Sequence, residues 1–359
     1  SIITTSFEGA ERGKAIGVWV GVAGGGAFVG LFGTSWLLNY YAWHSFFGLN
    51  LVLAAIAFLG TLRVIPESRE SVTAPLDIVG GLISVIAVGS LVFGIIEGPE
   101  RGWSDVLTIA GLAIGLLAFV AFTLWELRIE HPLLDPRLFR NTGFTAGSIG
   151  ITVQFLCLFG FIFVGLQYLQ YVAGFSPWEA TKRLLLIPVV MLPMSRISGH
   201  LATRIPQKKL GAVGFVIFGA GMFVFTTMNL DFQLPRFWTG LALMAAGMAL
   251  SAVPATTAIT SSLPGDKQGV ASAVNDVSRE LGSAVGIAVL GSALNTTYRS
   301  HLTPALTNLP AELATRFHGS VAFVKVDPHT IVAAHPEAQP ILAMWDSLVL
   351  AGQTAFADG

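Results

Sequence analysis

Long apolar stretches separated by short polar connections dominate the sequence. Each stretch has roughly 20 or more residues, the length that an α-helix needs to cross the hydrocarbon core of a bilayer. The apolar residues run continuously and do not alternate with polar ones, so helices are favoured over the strands of a transmembrane barrel. Nine membrane spans are predicted, near residues 15–38, 43–65, 77–97, 105–127, 143–172, 180–203, 210–229, 237–262 and 269–296.

The composition supports lipid as the main solvent. The 359 residues are 53% hydrophobic and only 11% charged, whereas soluble domains carry about a quarter charged residues. The predicted fold class is therefore an all-α polytopic membrane protein, and the lipid bilayer is its first expected partner. A formal net charge of −1 offers no basis for a nucleic-acid partner, which would require a basic surface.

The Lys and Arg residues concentrate in alternate connections between the spans. One set of connections holds Arg12, Lys14, Arg63, Arg69, Arg128, Arg137, Arg140, Arg204, Lys208, Lys209 and Lys267. The other short connections hold only Arg101, Lys182, Arg183 and Arg236. Because basic connections stay in the cytoplasm, the first set is predicted to be cytoplasmic, and the polar segment after Tyr298 is predicted to lie outside.

The segment from 298 to about 345 is the one long polar stretch. It contains five prolines and is predicted to be an exposed loop with one short amphipathic helix. Residues 348–356 are typical of the start of a further span. The chain begins with Ser1 and stops within that apolar run, so both ends are expected to be cuts.

The first predicted span is rich in glycine. Gly17 and Gly21 are four residues apart, as are Gly26 and Gly30, and Gly33 follows. Small residues at this spacing let helix backbones approach closely in a membrane. These five residues are predicted to form a helix-packing motif. Two readings stay open: static packing, or a helix that moves against its neighbour.

The last full span contains polar and charged residues, namely Asn275, Asp276, Arg279 and Glu280. Asn275 and Arg279 share one helix face with Gly282 and Gly286, because the spacings are four, three and four. Charges inside a span usually face a bundle interior or a water-filled cavity. The four residues are candidates for coupling or gating. The alternative is that they lie in the first cytoplasmic turns, where charged groups reach water at little cost.

Amides and one arginine within other spans are candidates for a substrate path. They are Gln154, Gln167 and Gln170 in the fifth span and Arg196 in the sixth, where Pro188 and Pro193 are expected to kink the helix. Gln154 can equally bond to a neighbouring helix, Gln167 and Gln170 can lie exposed near the outer end, and Arg196 can extend to the inner surface.

Nothing in the sequence favours an enzyme or a metal centre. His301, His318, His329 and His335 lack the spacing of a zinc site. No Ser/His/Asp set, HExxH motif or P-loop occurs in a suitable context. We therefore expect no catalytic residue, no cofactor and no bound metal.

Three stretches resemble the major facilitator superfamily in its fourteen-span drug:proton antiporter branch. Residues 11–19 resemble the start of that branch's fifth helix, and residues 170–177 followed by 186–188 resemble the junction of its ninth and tenth helices. Residues 262–282 resemble its thirteenth-helix signature. The resemblances are spread along nearly the whole chain, and the third is the most specific.

The resemblance implies a major facilitator type helix bundle that is incomplete. Residues 1–65 would be the last two helices of the first bundle, and 66–140 two extra central helices with their loops. Residues 141–298 would be five helices of the second bundle, and 299–359 a long external loop with the start of a final helix. About four helices would be missing at the start, including the one that carries the acidic residue linked to proton transfer.

The implied function is secondary active transport in the cell (cytoplasmic) membrane, with proton-coupled export of drugs or other amphipathic small molecules. The expected partners are then a small-molecule substrate and protons. Some positions depart from the family pattern: Leu31, Thr34 and Ser35 in the antiporter motif, His44, and Thr203 in place of an aspartate. These departures leave one alternative, a transport-inactive or truncated transporter-like membrane protein with a regulatory or scaffold role.

Overall fold

The described part of the protein is helical. The computed structural model describes residues 26, 30–64, 77–202, 204–263, 268–307, 311–319, 321–329, 331 and 341–357. Within these ranges the regular structure consists of helices and contains no strand. The predicted all-α fold class is therefore confirmed.

Twelve helices are numbered here in chain order. They are α1 (30–40), α2 (Ser45–Val64), α3 (Ile78–Arg101), α4 (Val106–Glu126), α5 (Thr142–Gln167), α6 (Pro177–Arg183), α7 (Leu186–Leu201), α8 (Gln207–Phe225), α9 (Leu234–Ser261), α10 (Gln268–Leu302), α11 (Ala311–Gly319) and α12 (Ile341–Ala357). A π-helical turn, Tyr168–Val172, extends α5. Short 3-10 turns occupy Pro136–Arg140, Thr303–Leu306 and Val321–Lys325.

Eight helical segments in the described residues are long and apolar enough to cross a membrane. They are Ser45–Arg63, Ile78–Gly98, Val106–Glu126, Thr142–Val172, Pro177–Leu201, Gln207–Phe225, Leu234–Ser261 and Gly269–Leu306. They coincide with the second to ninth predicted spans. Most of the first predicted span, 15–38, lies outside the described residues.

Polar residues of the connections begin the helices. Asp77, Asp105, Asn141 and Ser176 are the N-cap residues of α3, α4, α5 and α6, and each side chain accepts a hydrogen bond from a backbone N–H of the first turn. Such caps satisfy donors that no earlier turn of the helix can reach. The polar residues of the connections therefore set where these helices start.

Glycine brings the helices together in four pairs: α3 with α4, α5 with α9, α5 with α10, and α8 with α9. In the last pair, a Cβ atom on Gly221 would lie 2.5 Å from the backbone nitrogen of Met244, and one on Gly247 would collide with the backbone of Phe218. Backbones at this separation exclude any larger residue. Close packing through small residues is thus a property of these pairs, as expected of membrane helices.

Two apolar clusters hold the second group of helices together. The larger cluster joins α5, α6 to α10 and α12, and includes the fully buried Leu169, Leu241 and Met244. The smaller one joins α5, α9 and α10 around Phe144 and Ile259, near the end predicted to be cytoplasmic. By contrast, α2 has no buried residue in its apolar window, and most of its surface is exposed in the described part of the protein.

The segment after Tyr298 corrects the prediction of an exposed loop. The α10 helix continues to Leu302, and the segment then forms a short 3-10 turn, α11 and a second 3-10 turn. Phe317 is fully buried, and its ring centroid lies 4.7 Å from Phe323 and 5.6 Å from Trp345. The prolines predicted an exposed loop with one short amphipathic helix, but the aromatic residues of this segment supply enough apolar surface to pack against the bundle.

Candidate functional site

The predicted coupling residues lie where α10 meets α5 and α9. Asn275 is 6% exposed, and its Oδ1 accepts a long hydrogen bond of 3.5 Å from the Thr256 hydroxyl of α9. A buried amide is stable only with such partners. Asn275 therefore connects α10 to α9 at the end predicted to be cytoplasmic.

Arg279 lies one helical turn further along the same face. Its guanidinium carbon is 5.3 Å from the ring centroid of Phe155 on α5, a distance suited to a cation–π contact. Its Nε is buried and has no hydrogen-bond partner among the described residues. Asp276 and Glu280 are exposed. The structure thus brings Asn275 and Arg279 to helix interfaces and leaves the two carboxylates outside.

Two glycines complete this face of α10. A Cβ atom on Gly282 would collide with the carbonyl oxygen of Thr152, and one on Gly286 with the backbone of Leu156. The α5 backbone therefore runs directly against α10 beyond Arg279. No side chain larger than hydrogen fits between them, so the two helices are held at a fixed separation.

Gln154 forms a polar link between α5 and α9. It is fully buried, and its Nε2 donates a hydrogen bond to the Ser251 hydroxyl of α9. That hydroxyl in turn donates to the carbonyl of Gly247 at 2.6 Å. The Gln154 Oε1 atom is buried without a partner among the described residues. This geometry fits the helix-bonding interpretation of Gln154 better than a substrate path.

Replacing Gln154 by leucine is expected to remove this link and to lower the stability of the helix bundle. Hydrogen bonds between membrane helices contribute on the order of 1 kcal/mol, so the melting temperature should fall by a few degrees. Ser251→Ala should have a similar effect, and the double variant should be no worse than either alone. Melting of the three purified variants would check this, and fully additive losses would contradict the direct bond.

A cavity of about 340 Å³ lies between α3, α5 and α10, towards the end predicted to face outward, and residues of α11, the following 3-10 turn and α12 complete its wall. Four polar residues line it, namely Gln167, Ser292, Asn295 and Tyr298. The Ser292 hydroxyl donates to the Ile95 carbonyl of α3 at 2.9 Å, which closes one side. The remaining lining is apolar or glycine, and none of the lining residues is charged. Of the predicted substrate-path residues, only Gln167 lies there.

Gln170 and Arg196 lie elsewhere. Gln170 is half-buried in the π-helical turn after α5, and Arg196 is exposed on α7. The π-helical turn is itself tied to two other elements, because Gln353 of α12 donates to the carbonyl of Tyr171 at 3.0 Å and the Tyr168 hydroxyl donates to the Asn229 carbonyl at 2.6 Å. The predicted path residues therefore do not form one surface.

The glycine motif of the first span shows little packing in the described residues. Gly17 and Gly21 lie outside them. A Cβ atom on Gly26 or Gly30 would meet nothing within 4 Å, and one on Gly33 would lie 3.2 Å from a methyl group of Leu49. The helix-packing role of this motif stays a prediction, since the close contacts observed involve glycines of later helices.

Comparison with known proteins gives the family. Residues 1–287 match the Major Facilitator Superfamily. The multidrug resistance protein Stp of Mycobacterium tuberculosis is 31% identical over 309 residues, covering 85% of this chain and 57% of Stp. The tetracenomycin C resistance and export protein of Streptomyces glaucescens is 28% identical over 291 residues, covering 81% of this chain and 54% of that protein.

A further similar protein comes from a third bacterium. The methyl viologen resistance protein SmvA of Salmonella typhimurium is 27% identical over 315 residues, covering 87% of this chain and 62% of SmvA. The chain thus spans between half and two thirds of the length of these relatives. The family match covers most of the sequence, and the described residues form the multi-pass helical bundle that such a match requires. The chain belongs to the Major Facilitator Superfamily.

Proposed function

We propose that the chain is part of a secondary active transporter that exports drugs or other amphipathic small molecules across the cell (cytoplasmic) membrane in exchange for protons. The names of the relatives, which concern resistance to several drugs or export of one, support the substrate class. Such a carrier performs no covalent chemistry on its cargo, so it is not an enzyme. The cavity between α3, α5 and α10 is the observation in this chain that carries the proposal.

The cavity has the character of a binding site for an uncharged or weakly polar molecule. Small-molecule sites commonly measure about 300–1,000 Å³ and combine apolar walls with a few polar groups, and this cavity of about 340 Å³ has both. Amide groups of Gln167 and Asn295 can donate and accept hydrogen bonds. An amphipathic cargo can thus place its apolar part against the walls and its polar part on these amides.

The candidate residues outside the cavity also have proposed roles in transport. In this proposal Arg279 and Asn275 serve coupling or gating, because they lie where α10 contacts both α5 and α9. The proposed division of the chain keeps α3 and α4 as two extra central helices and α5 to α10 as the second bundle. The two bundles would rock against each other.

Replacing Asn295 by leucine is expected to weaken export of an uncharged drug such as chloramphenicol by about fivefold. The substitution keeps the side-chain size but removes a hydrogen-bonding group worth on the order of 1 kcal/mol. Drug efflux should be measured in cells that express the intact gene. Thr296→Val is the matched control, because Thr296 is the next residue and is exposed. Equal efflux by both variants would contradict a role of the cavity.

The alternative is a membrane protein that no longer transports. The family departures at Thr34, Ser35 and Thr203 favour it, and of these Thr203 lies outside the described residues. Growth of cells carrying or lacking the intact gene, on a panel of charged and uncharged drugs, separates the two functions. Resistance to any of the drugs would support export, and sensitivity to all of them would support the regulatory or scaffold role.

A further inference from the structure

Two carboxyl groups meet at the base of the α3–α4 hairpin. Asp77 is the N-cap residue of α3, and Glu126 is the last residue of α4, so the antiparallel helices bring them together at the end predicted to be cytoplasmic. Glu126 is only 1% exposed. A carboxylate at such a position is costly unless its oxygen atoms are hydrogen-bonded or neutralised. Its surroundings therefore decide its protonation.

The Asp77 carboxyl group is surrounded by donors. The backbone N–H of Gly80 donates to Oδ1 at 2.9 Å, and the Trp125 indole N–H lies 3.1 Å from Oδ1 and 3.2 Å from Oδ2. The Gly80 hydrogen bond lowers the pKa of Asp77 below its usual value. Asp77 is thus arranged to carry the negative charge.

Glu126 has a different environment. Its Oε2 accepts a hydrogen bond from the backbone N–H of Leu134 at 3.1 Å, whereas Oε1 is buried and receives no donor among the described residues. That unsatisfied atom points towards Asp77: Glu126 Oε1 and Asp77 Oδ2 both occupy the space that a Cβ atom on Gly80 would need. A proton on Oε1 would satisfy both oxygens at once, with Glu126 as donor and Asp77 as acceptor.

We propose that Asp77 and Glu126 form a proton-binding site that holds one proton between them, on Glu126 and hydrogen-bonded to the Asp77 carboxylate. When the proton leaves to water, Glu126 becomes a second carboxylate beside the first. Two like charges at this separation repel each other strongly. The pair therefore exists in two forms that differ by a single proton. In one form the two groups are hydrogen-bonded, and in the other two carboxylates repel each other.

In the described residues, the connection that follows Glu126 carries further charged groups as far as Arg137. They are Arg128, Glu130, His131, Asp135 and Arg137, all exposed except the half-buried Asp135. Arg137 is engaged with the backbone, because its guanidinium donates to the Leu127 carbonyl at 3.0 Å. The charge that faces Glu126 directly is that of Asp77. No cation among the described residues forms an ion pair with Glu126 and so substitutes for the proton.

The site also joins separate segments of the chain. Through Leu134, Glu126 holds the connection that leads from α4 to α5, and through Asp77 it holds the start of α3. Loss of the proton would weaken the tie between the hairpin and the second bundle. A role for this change in export rests on the proposed function, but the proton site itself does not.

Infrared spectroscopy tests the site directly on the purified chain in lipid nanodiscs. A protonated carboxyl group has a C=O band that an ionised carboxylate lacks. We expect the unmodified protein to show such a band near neutral pH and to lose it in alkaline solution. Glu126→Gln, which keeps the side-chain shape, should lack the band. Asp77→Asn should lose it as well, because the asparagine can donate to an ionised Glu126. The matched control is Glu130→Gln, which should keep it.

The outcomes separate the proton site from the proposed function. A band that is identical in the unmodified protein and in Glu126→Gln would overturn the proposal, and one that persists in Asp77→Asn would show that the proton is not shared. Neither result depends on transport. Drug efflux from cells that carry the intact gene tests export separately, so the function can fail while the proton site stands.

Discussion

Replacing Gly286 by alanine is expected to force α5 and α10 apart and, under the proposed function, to abolish export. A Cβ atom at this position would lie 2.7 Å from both the carbonyl carbon and the Cα of Leu156, and closer still to its oxygen. These are backbone atoms, so no side-chain rotation can relieve the clash. Overpacking of this kind costs about 1–3 kcal/mol or more. Size-exclusion chromatography of heated, detergent-purified protein should show the lower melting temperature.

The same helix supplies the control. Gly269 also lies on α10, but a Cβ atom there would meet nothing within 4 Å. Gly269→Ala should therefore be neutral, or stabilising by up to about 1 kcal/mol through helix propensity. If Gly286→Ala and Gly269→Ala melted at the same temperature and transported equally, the close approach of α5 and α10 would be wrong.

Replacing Arg279 by alanine is expected to abolish drug export while leaving the protein in the membrane. The guanidinium is half-buried, contacts the Phe155 ring at 5.3 Å and has an Nε without a hydrogen-bond partner among the described residues. A buried donor without a partner is available to a substrate, to a water molecule or to a carboxylate in another conformation of the transporter. Resistance of cells that carry the intact gene, together with immunoblots of their membranes, would measure both parts of the prediction.

Two further variants isolate the contribution of the arginine. Glu280→Gln changes the charge at the next residue, which is exposed, and should transport nearly normally. Phe155→Leu removes the aromatic partner and should have an intermediate effect, because a cation–π contact contributes about 0.5–2 kcal/mol. Unchanged resistance with Arg279→Ala would remove this residue from the mechanism.

Membrane helices were predictable because their apolar runs are continuous and long, and each described span coincides with a predicted one. In the sixth predicted span, the structure adds the position of a helix break. The span was expected to kink at prolines, and the structure divides it into α6 and α7 with a break at 184–185. Pro188 cannot donate a backbone hydrogen bond to residue 184, which accounts for the position of the break.

Contacts between distant residues could not be predicted from the pattern. Gln154 and Ser251 are 97 residues apart, and nothing in either helix indicates that the two side chains meet. Asp77 and Glu126 were placed at span ends, where single carboxylates usually face water, and only the antiparallel pairing of α3 with α4 buries one against the other. Asn295, like Gln167, is an amide in an apolar span, and the sequence pattern could have marked it as a candidate. Its place on the cavity wall could not be predicted, because α3 forms the opposite wall.

The π-helical turn at the end of α5 has a consequence for the local unfolding of the protein. Its Tyr171 carbonyl is bonded to α12, its Tyr168 hydroxyl to the connection before α9, and the carbonyl of Phe175 just beyond it accepts a bond from Lys325 at 3.4 Å. Three segments far apart in the chain are therefore hydrogen-bonded to this turn and the residues just after it. Local unfolding there cannot release a single segment, so these parts should exchange their amide hydrogens as one cooperative unit.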